Sequence, residues 1–306
     1  MKILVATEKP FAPSAIDQIR SVAAAEGHEL ALLENYKDIS VFKAAVADAD
    51  ALIVRSDIVS GEILDSAPRL KIVVRAGAGY DNIDLAACTA HNVIAMNTPG
   101  QNSNAVAELV FLLMLYNARG GFSGKSGSEL RGKKLGLHAF GNVGRYVAEI
   151  AKGFGMEVFA FDPFLTSEAI VSCGVNTCRS AEELYSECQY VSLHMPANKE
   201  TTGSIGYDLL MRMPANAVLV NTARKEVVNE EELVRVFGER PDFRYLADVQ
   251  PDCKALLEEK FKGRFLFTEK KMGAQTGEAN NNAGVAAARQ IADYFKTGNE
   301  KFRLNK

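Results

Sequence analysis

The stretch LHAFGNVGRYVAEI, residues 137–150, joins an apolar strand pattern to an amphipathic helix pattern through a short turn. Gly141 and Gly144 stand where a dinucleotide-binding fingerprint, Gly-x-Gly-x-x-Gly, has its second and third glycines. Ala139 takes the place of the first glycine. Alanine keeps the turn small, but it suits the position at little cost only if the turn does not use φ above zero. The stretch predicts an α/β fold with a nucleotide-binding turn.

Asp162 supports the interpretation of this turn as a nucleotide site. It ends the next strand pattern, EVFAFD (157–162). A carboxylate at that place accepts hydrogen bonds from ribose hydroxyls and repels a 2′-phosphate, which favours NAD over NADP. A strand–turn–helix unit whose glycines only allow close packing is the alternative. If the turn binds NAD, we expect the pyrophosphate at the start of the helix, against Gly141, Asn142, Val143 and Gly144.

Short apolar runs alternate with helical patterns along the chain, as in parallel α/β folds. The first series begins with KILVAT (2–7) and the second with KKLGLHAF (133–140). The sequence therefore predicts two Rossmann-like or flavodoxin-like parallel-sheet α/β domains with an interdomain cleft. We place residues 1–99 and 285–306 in a substrate-binding domain and residues 100–284 in the nucleotide-binding domain.

Two long helices are predicted around this division. NSNAVAELVFLLMLYNA (102–118) is strongly apolar, and we expect it to pack between domains or subunits. The last helix, roughly Gln275–Lys296, is rich in alanine and asparagine, and we expect it to pack back onto the first domain.

The composition excludes several classes of function. The net charge of −3 gives no general attraction to nucleic acid or to an anionic membrane. No segment reaches the roughly 20 apolar residues that span a bilayer, and the N-terminus is typical of a first strand rather than of a signal peptide. The five cysteines form no CxxC pair, so we expect reduced thiols, no zinc or other metal site and a cytoplasmic protein.

Seven segments, spread from about residue 50 to residue 290, resemble those of one enzyme family, the D-isomer-specific 2-hydroxyacid dehydrogenases. The match is strongest to the members that act on 3-phosphoglycerate. The resemblance implies NAD and substrate bound between two α/β domains. The segments are LIVRS (52–56), VVRAGAGYDNIDLAA (73–87), MNTPGQNSNAVAEL (96–109), LGLHAFGNVGR (135–145), LVNTARKEVVNEEEL (219–233), LADV (246–249) and MGAQT (272–276).

The resemblance assigns roles to matching positions. Arg224 corresponds to the arginine that grips the substrate carboxylate and carbonyl oxygen, which suits a planar guanidinium with two parallel donors. Asp248 corresponds to the aspartate that orients the nicotinamide carboxamide, and a strand-terminal cap is its alternative role. Further cofactor contacts are expected at Ala139, His194, Met195, Thr222, Ala223, Gly273 and Ala274.

Substrate contacts are expected in the first domain and at the start of the long helix. The backbone of Ala78 and Gly79 can present N–H groups to a carboxylate. Paired arginines near the cleft would favour a phosphorylated substrate, although both could instead be exposed salt-bridge partners. The candidate phosphate contacts are Arg55, Ser56, Arg75, Asn102 and Ser103.

The chain departs from the family at the proton-transfer residue. The family uses histidine paired with glutamate, but no histidine follows His194, and counting back from Met272 puts Lys271 at the histidine position, with Lys270 as the fallback. The expected glutamate after Asp248 is also missing from VQPDCK (249–254). Asp252 is a weak stand-in, and Glu226 in ARKE is another possible acidic neighbour.

The two losses are consistent with a lysine that shuttles the proton. An ordinary lysine has a pKa near 10.4, which must fall for proton exchange near neutrality, and a paired glutamate would raise it. Burial in a closed cleft and the charge of Arg224 would lower it. The alternative is that both lysines are surface residues and catalysis is lost.

The resemblance implies oxidation of 3-phosphoglycerate to 3-phosphohydroxypyruvate, the first step of serine biosynthesis, by a homodimer without an appended serine-sensing domain. A glyoxylate or hydroxypyruvate reductase, or another D-2-hydroxyacid dehydrogenase, is the enzymatic alternative. A corepressor-like protein that binds NAD without turnover is the alternative of another class.

Overall fold

The computed structural model describes residues 1–305, which divide into two compact units. The first unit comprises residues 1–102 together with the residues from 275 on, and the second comprises residues 103–274. Each unit contains one sheet whose strands all run parallel. The predicted fold class, two parallel-sheet α/β domains, is therefore confirmed.

The first unit is built on a five-stranded sheet of order β2-β1-β3-β4-β5. Apolar side chains cover both faces of this sheet, as the near-continuous apolar strands predict. Its elements up to residue 102 are β1 Lys2–Thr7, α1 Pro13–Ala25, β2 Glu29–Glu34, α2 Ile39–Val46, β3 Ala51–Val54, α3 Gly61–Asp65, β4 Ile72–Arg75, α4 Leu85–Ala90 and β5 Ile94–Asn97.

The second unit is built on a seven-stranded sheet of order β12-β11-β10-β9-β6-β7-β8. The strand order reverses between β6 and β9, and in such sheets ligands bind outside the carboxyl ends of the strands at this point. The elements are α5 Ser103–Ala118, β6 Lys134–His138, α6 Asn142–Gly153, β7 Glu157–Phe161, α7 Ser167–Val171, β8 Asn176–Thr177, α8 Ala181–Glu187, β9 Tyr190–Leu193, α9 Tyr207–Arg212, β10 Val218–Asn221, α10 Glu230–Glu239, β11 Arg244–Ala247, α11 Lys254–Lys260 and β12 Phe265–Phe267.

The last helix, α12 (Gly277–Thr297), returns the chain to the first unit and packs against α1, as predicted. The two helices are so close that a Cβ on Gly284 would lie 3.0 Å from Ile19 Cδ1 of α1, and 2.9 Å from the ring of Phe11 just before it. The boundary expected after residue 284 falls inside this unbroken helix. The structure instead divides the chain before residue 275, because the Thr276 side chain caps the helix and all of it packs with the first unit.

Helix α5 is mostly apolar apart from the exposed pair Asn104 and Glu108, and it packs against α6, where Phe111 stacks on Phe154 at the end of that helix. Leu112 nevertheless has 61% of its surface exposed on this helix. Of the helices in the described part of the chain, none combines the length and the hydropathy needed to cross a membrane.

Candidate active and cofactor site

The turn after β6 has the backbone of a nucleotide-binding turn, with one strained residue. Ala139 has φ 75°, so the turn does use a left-handed conformation at the position where the fingerprint has its first glycine. This conformation costs an L-residue about 1–2 kcal/mol. The Ala139 methyl packs against the apolar cluster on one face of the sheet, which offsets part of that cost.

The two glycines of the turn have different roles. A Cβ on Gly144 would lie 2.7 Å from the carbonyl oxygen of Ala139, so a glycine is required for the close approach of α6 to β6. A Cβ on Gly141 would contact nothing within 4 Å. The backbone of Gly141 therefore faces open space, as the approach of a pyrophosphate requires.

The start of α6 can bind an anion. Gly141 precedes the helix and supplies no side-chain cap, so the first N–H groups of α6, at Asn142, Val143 and Gly144, point toward the space where the pyrophosphate is expected. Asp162 accepts hydrogen bonds from the backbone N–H of Phe140 (2.8 Å) and of Phe164 (2.9 Å). Its carboxylate thus fixes the turn and keeps free lone pairs for ribose hydroxyls.

Two buried polar atoms at the neighbouring strand ends fit a bound polar ligand. Thr222 follows β10, and His194 follows β9, with its N–H bonded to the carbonyl of His138 (3.0 Å). Thr222 Oγ1 and His194 Nε2 are buried, and neither has a hydrogen-bond partner among residues 1–305. Buried polar atoms normally have partners, so these two are suited to the polar groups of a dinucleotide.

His138 and His194 are held neutral at the edge of this site. Burial lowers the pKa of His138 to about 4 and that of His194 to about 3, and the nearby His138 also lowers the pKa of His194. His138 Nδ1 lies 3.3 Å from the hydroxyl of Tyr185. His194 stands among the cofactor contacts expected from the sequence, whereas the nearby His138 had no role predicted for it.

The free energy of unfolding is expected to fall in acid because of this pair. In the unfolded chain these histidines have a pKa near 6.5, so below that pH the unfolded state gains protons that the folded state does not. Their contribution to the free energy of unfolding is therefore complete above pH 6.5 and is lost as the pH falls toward 4. The loss should reach about 2 kcal/mol per histidine by pH 5. Urea denaturation at pH 7.5 and pH 5 measures the effect. His138→Gln should reduce the loss, whereas His91→Gln, at an exposed position, should not. Equal losses in both variants would contradict this assignment.

Asp248 lies directly after β11 and is 1% exposed. Its carboxylate accepts hydrogen bonds from Thr268 Oγ1 (2.9 Å), from the N–H of Met272 (2.7 Å) and from the N–H of Gly273 (2.7 Å). An ionised carboxylate has about four acceptor positions, so one remains for a nicotinamide carboxamide. That cofactor contact stays a prediction, as do those of Met195 and Ala274.

Lys271 and Arg224 converge on one backbone oxygen. Lys271 Nζ lies 3.3 Å from the carbonyl oxygen of Ala223, and Arg224 Nη1 lies 3.0 Å from the same atom. The ammonium and the guanidinium are therefore neighbours. Both lysines are exposed, so the burial expected around the catalytic lysine is not found at Lys271. Lys270, the fallback, makes no hydrogen bond within the described residues, whereas Lys271 does. The structure thus brings together the two residues predicted to be catalytic.

The acidic stand-in suggested by the sequence is engaged elsewhere. Asp252 Oδ1 lies 2.6 Å from Lys225 Nζ, and its carboxylate is 80% exposed. Glu230 holds this segment by accepting the N–H groups of Asp252 and Cys253. Asp252 is therefore a surface partner of Lys225, and Glu226 lies exposed in the adjoining short 3-10 helix.

In the first unit, Arg55 and Arg75 lie at the carboxyl ends of adjacent strands. Arg55 donates to the carbonyls of Lys9 (2.8 Å) and Pro10 (3.1 Å) and to Asn280 Oδ1 (2.7 Å), and burial lowers its pKa. Arg75 Nε donates to the carbonyl of Arg55 (2.9 Å). Arg55 is thus not an exposed salt-bridge partner. Asn280, which lies 225 positions from Arg55 in the chain, was missed because no local pattern connects them.

The AGAG segment leaves backbone donors available in the same unit. Asn97 Nδ2 donates to the carbonyl of Ala78 (2.6 Å), which fixes the loop. Within residues 1–305, the N–H groups of Ala78 and Gly79 have no acceptor. These two N–H groups are therefore available to an anion, and substrate binding by them stays a prediction. Ser56 is exposed, Asn102 is half-buried, and Ser103 is buried as the first residue of α5.

The described residues contain no group of three histidine, cysteine, aspartate or glutamate side chains that could hold a metal ion. Cys88, Cys173, Cys178, Cys188 and Cys253 all carry free thiols.

Comparison with known proteins supports a dehydrogenase family. The family model described as "D-isomer specific 2-hydroxyacid dehydrogenase, NAD binding domain" matches residues 116–260. The chain is 35% identical over 266 residues to the D-3-phosphoglycerate dehydrogenase of Methanocaldococcus jannaschii, which covers 80% of this chain and 50% of the relative. It is 33% identical over 272 residues to the glyoxylate reductase of Thermococcus litoralis, which covers 82% of each. The chain spans about half the length of the curated phosphoglycerate dehydrogenases it matches.

A solved structure extends the likeness to the whole chain. The NAD⁺-bound 3-phosphoglycerate dehydrogenase of Entamoeba histolytica is 48% identical, with a TM-score of 0.86 and coverage of 100% of this chain and 99% of that one. NAD, predicted from the glycine turn and Asp162, is confirmed as the cofactor of the second unit. With its two parallel-sheet units, its nucleotide turn and these relatives, the chain belongs to the D-isomer-specific 2-hydroxyacid dehydrogenases.

Proposed function

We propose that this protein is an NAD-dependent dehydrogenase that oxidises 3-phosphoglycerate to 3-phosphohydroxypyruvate, the first step of serine biosynthesis. The observation that carries the proposal is the convergence of Lys271 and Arg224 on the carbonyl of Ala223. An amine that can exchange a proton and a guanidinium that can bind a carboxylate are the two groups that oxidation of a 2-hydroxyacid requires close together, which supports the proposal.

The two side chains divide the work. Arg224 binds the substrate carboxylate and polarises the oxygen that becomes the carbonyl, with parallel N–H donors. Lys271, as the neutral amine, removes the hydroxyl proton, and as the ammonium it returns this proton in the reverse direction. NAD, when bound, supplies the acceptor for the hydride that leaves the substrate C2.

The first unit provides the proposed phosphate site. Arg55 keeps N–H groups beyond its three hydrogen bonds, and those bonds hold its guanidinium at the carboxyl edge of the sheet. Arg75 is joined to the same place through the Arg55 carbonyl. The names of the relatives from Methanocaldococcus jannaschii and Entamoeba histolytica support a phosphorylated substrate.

Loss of the phosphate contact is expected to change substrate choice. Arg55→Ala should raise KM for 3-phosphohydroxypyruvate about 10-fold or more, since a hydrogen bond to a charged group contributes about 1.5–3 kcal/mol. KM for hydroxypyruvate, which lacks the phosphate, should change little. NADH oxidation with both compounds measures the ratio. An equal change for the two substrates would place the phosphate elsewhere.

Glyoxylate reduction is a second candidate, favoured by the relative from Thermococcus litoralis, which matches this chain over 82% of both lengths. Adding glyoxylate to the same assay decides between the substrates. If NADH binds and none of these compounds is turned over, the proposed enzymatic function fails and the sensing alternative is favoured.

We also propose a cytoplasmic homodimer that associates through α5. Leu112 on α5 and Phe122 just after it are 61% and 74% exposed, and Tyr116 packs edge-on against Phe122. An apolar surface of this kind is typical of a protein interface. The free thiols are compatible with a reducing compartment.

A further inference from the structure

The segment that carries the two lysines, Thr268–Gly273, is closed into a loop by one buried carboxylate. Thr268 leaves the sheet with its N–H on the carbonyl of Ala247 (3.1 Å) and its hydroxyl on Asp248 Oδ1 (2.9 Å). At the other end, the N–H groups of Met272 and Gly273 bind the two oxygens of Asp248, each at 2.7 Å. Both ends of the lysine segment therefore depend on Asp248.

Asp248 is itself firmly placed. Its N–H donates to the carbonyl of Asn221 (2.9 Å), and the residue is 1% exposed. Position 273 requires a glycine, because a Cβ on Gly273 would lie 2.9 Å from Asp248 Oδ2. A side chain at position 273 would push the loop off the carboxylate. The Met-Gly pair after the lysines thus supplies two N–H groups to Asp248, and its glycine allows the close approach.

Three side chains of the loop lie at its surface. Lys270 and Lys271 are exposed, and Met272 has 55% of its surface exposed. The hydrogen bond to the Met272 N–H is one peptide unit from Lys271, so it fixes the direction in which the Lys271 side chain leaves the loop. A displacement of about 1 Å in a reacting group can cost about 10²-fold in rate.

We propose that Asp248 is a positioning residue for the proton transfer and acts through Lys271, in addition to any contact with the nicotinamide. This inference rests on the proposed function of Lys271. The carboxylate holds the lysine segment so that the Lys271 ammonium reaches the Ala223 carbonyl beside Arg224. An aspartate that served only the cofactor would not need to accept both N–H groups that follow the lysine.

A double-mutant cycle tests the proposal. In Asp248→Asn, the amide nitrogen cannot accept, so at least one of the N–H groups of Met272 and Gly273 loses its acceptor. We expect kcat for reduction of 3-phosphohydroxypyruvate to fall about 10- to 100-fold, while the Kd of NADH from fluorescence titration changes less than about 3-fold. In a Lys271→Ala background, the same substitution should lower kcat by less than about 3-fold.

Two results would overturn the inference alone. In the first, Lys271→Ala lowers kcat, and adding Asp248→Asn lowers kcat further by the same factor as in the wild-type enzyme. The other is a rise in the Kd of NADH that matches the fall in kcat. If Lys271→Ala alone leaves kcat unchanged, the proposed role of the lysine fails and this inference fails with it.

Thr268→Val keeps the test decisive if Asp248→Asn does not fold. It removes one hydrogen bond to the carboxylate, and kcat should fall about 3- to 10-fold, with no further fall in the Lys271→Ala background. Thr202→Val is the matched control, because the Thr202 hydroxyl bonds the Asn198 carbonyl (2.7 Å) in an exposed loop of the same unit. Equal rates for the two threonine variants would overturn the proposal.

Discussion

Lys271→Ala is expected to lower kcat about 10²- to 10⁴-fold, the range that a general acid or base contributes. The physical reason is the loss of the group that takes the hydroxyl proton beside Arg224. NADH oxidation with 3-phosphohydroxypyruvate, followed at saturating substrate, measures it. The Kd of NADH should change little, because the proposed role of the side chain is on the substrate.

Lys270→Ala is the matched control for this prediction. It removes the same charge from the adjacent exposed position, and kcat should stay within about 3-fold of wild type, as for surface substitutions away from a site. If the two alanine variants behave alike, or if Lys270→Ala is the more impaired, the choice of Lys271 from its bond to the Ala223 carbonyl is wrong.

Arg224→Lys should lower kcat/KM at least about 10²-fold, although the charge is kept. Lysine presents a point charge in place of a planar fork of donors, so it cannot hold a carboxylate through two parallel hydrogen bonds while polarising the carbonyl. The free energy of unfolding should change by less than about 1 kcal/mol, because the guanidinium bonds only the neighbouring Ala223 carbonyl within the described residues.

Arg179→Lys provides the comparison for Arg224→Lys. Arg179 is an exposed residue of the same unit that pairs with Glu183, and its substitution should leave kcat/KM unchanged. A small and equal effect of both substitutions would show that Arg224 does not bind the substrate.

The sheets could be predicted from the sequence where strands are buried on both faces. KILVAT (2–7) and ALIV (51–54) consist mainly of buried apolar residues, and both are strands in the structure. Two edge strands, β2 (Glu29–Glu34) and β8 (Asn176–Thr177), were not predicted. The first has a short apolar run between two glutamates but none of its residues is fully buried, and the second is only two residues long, so neither shows the pattern of a strand buried on both faces.

The site was predictable to the level of residue type. The glycine spacing, Arg224 and the lysine pair all stand in motifs, and Arg224 and Lys271 do meet in space. The hydrogen bonds of Asp248 were not predictable, because a backbone N–H carries no sequence signal that shows which side chain it binds. The positive φ of Ala139 was equally hidden, since alanine rarely adopts it.

The domain boundary shows a similar limit. Residues 275–284 show no change in composition that marks a domain boundary. The sequence therefore allows them to end one domain or to begin the other. The structure assigns them to the first unit because α12 packs as a whole on α1. Long-range packing of this kind decides a boundary that local composition leaves open.

The pH dependence of 3-phosphohydroxypyruvate reduction by NADH tests the lysine mechanism most directly. Lysine must carry the proton in this direction, so kcat/KM should be constant at neutral pH and fall in the alkaline range, and the reverse oxidation should rise there. The controlling ionisation should lie above the value of about 6.5 of an ordinary histidine and should be absent from the residual rate of Lys271→Ala. A profile governed by a group near 6.5, or no NADH oxidation at any pH, would contradict the account.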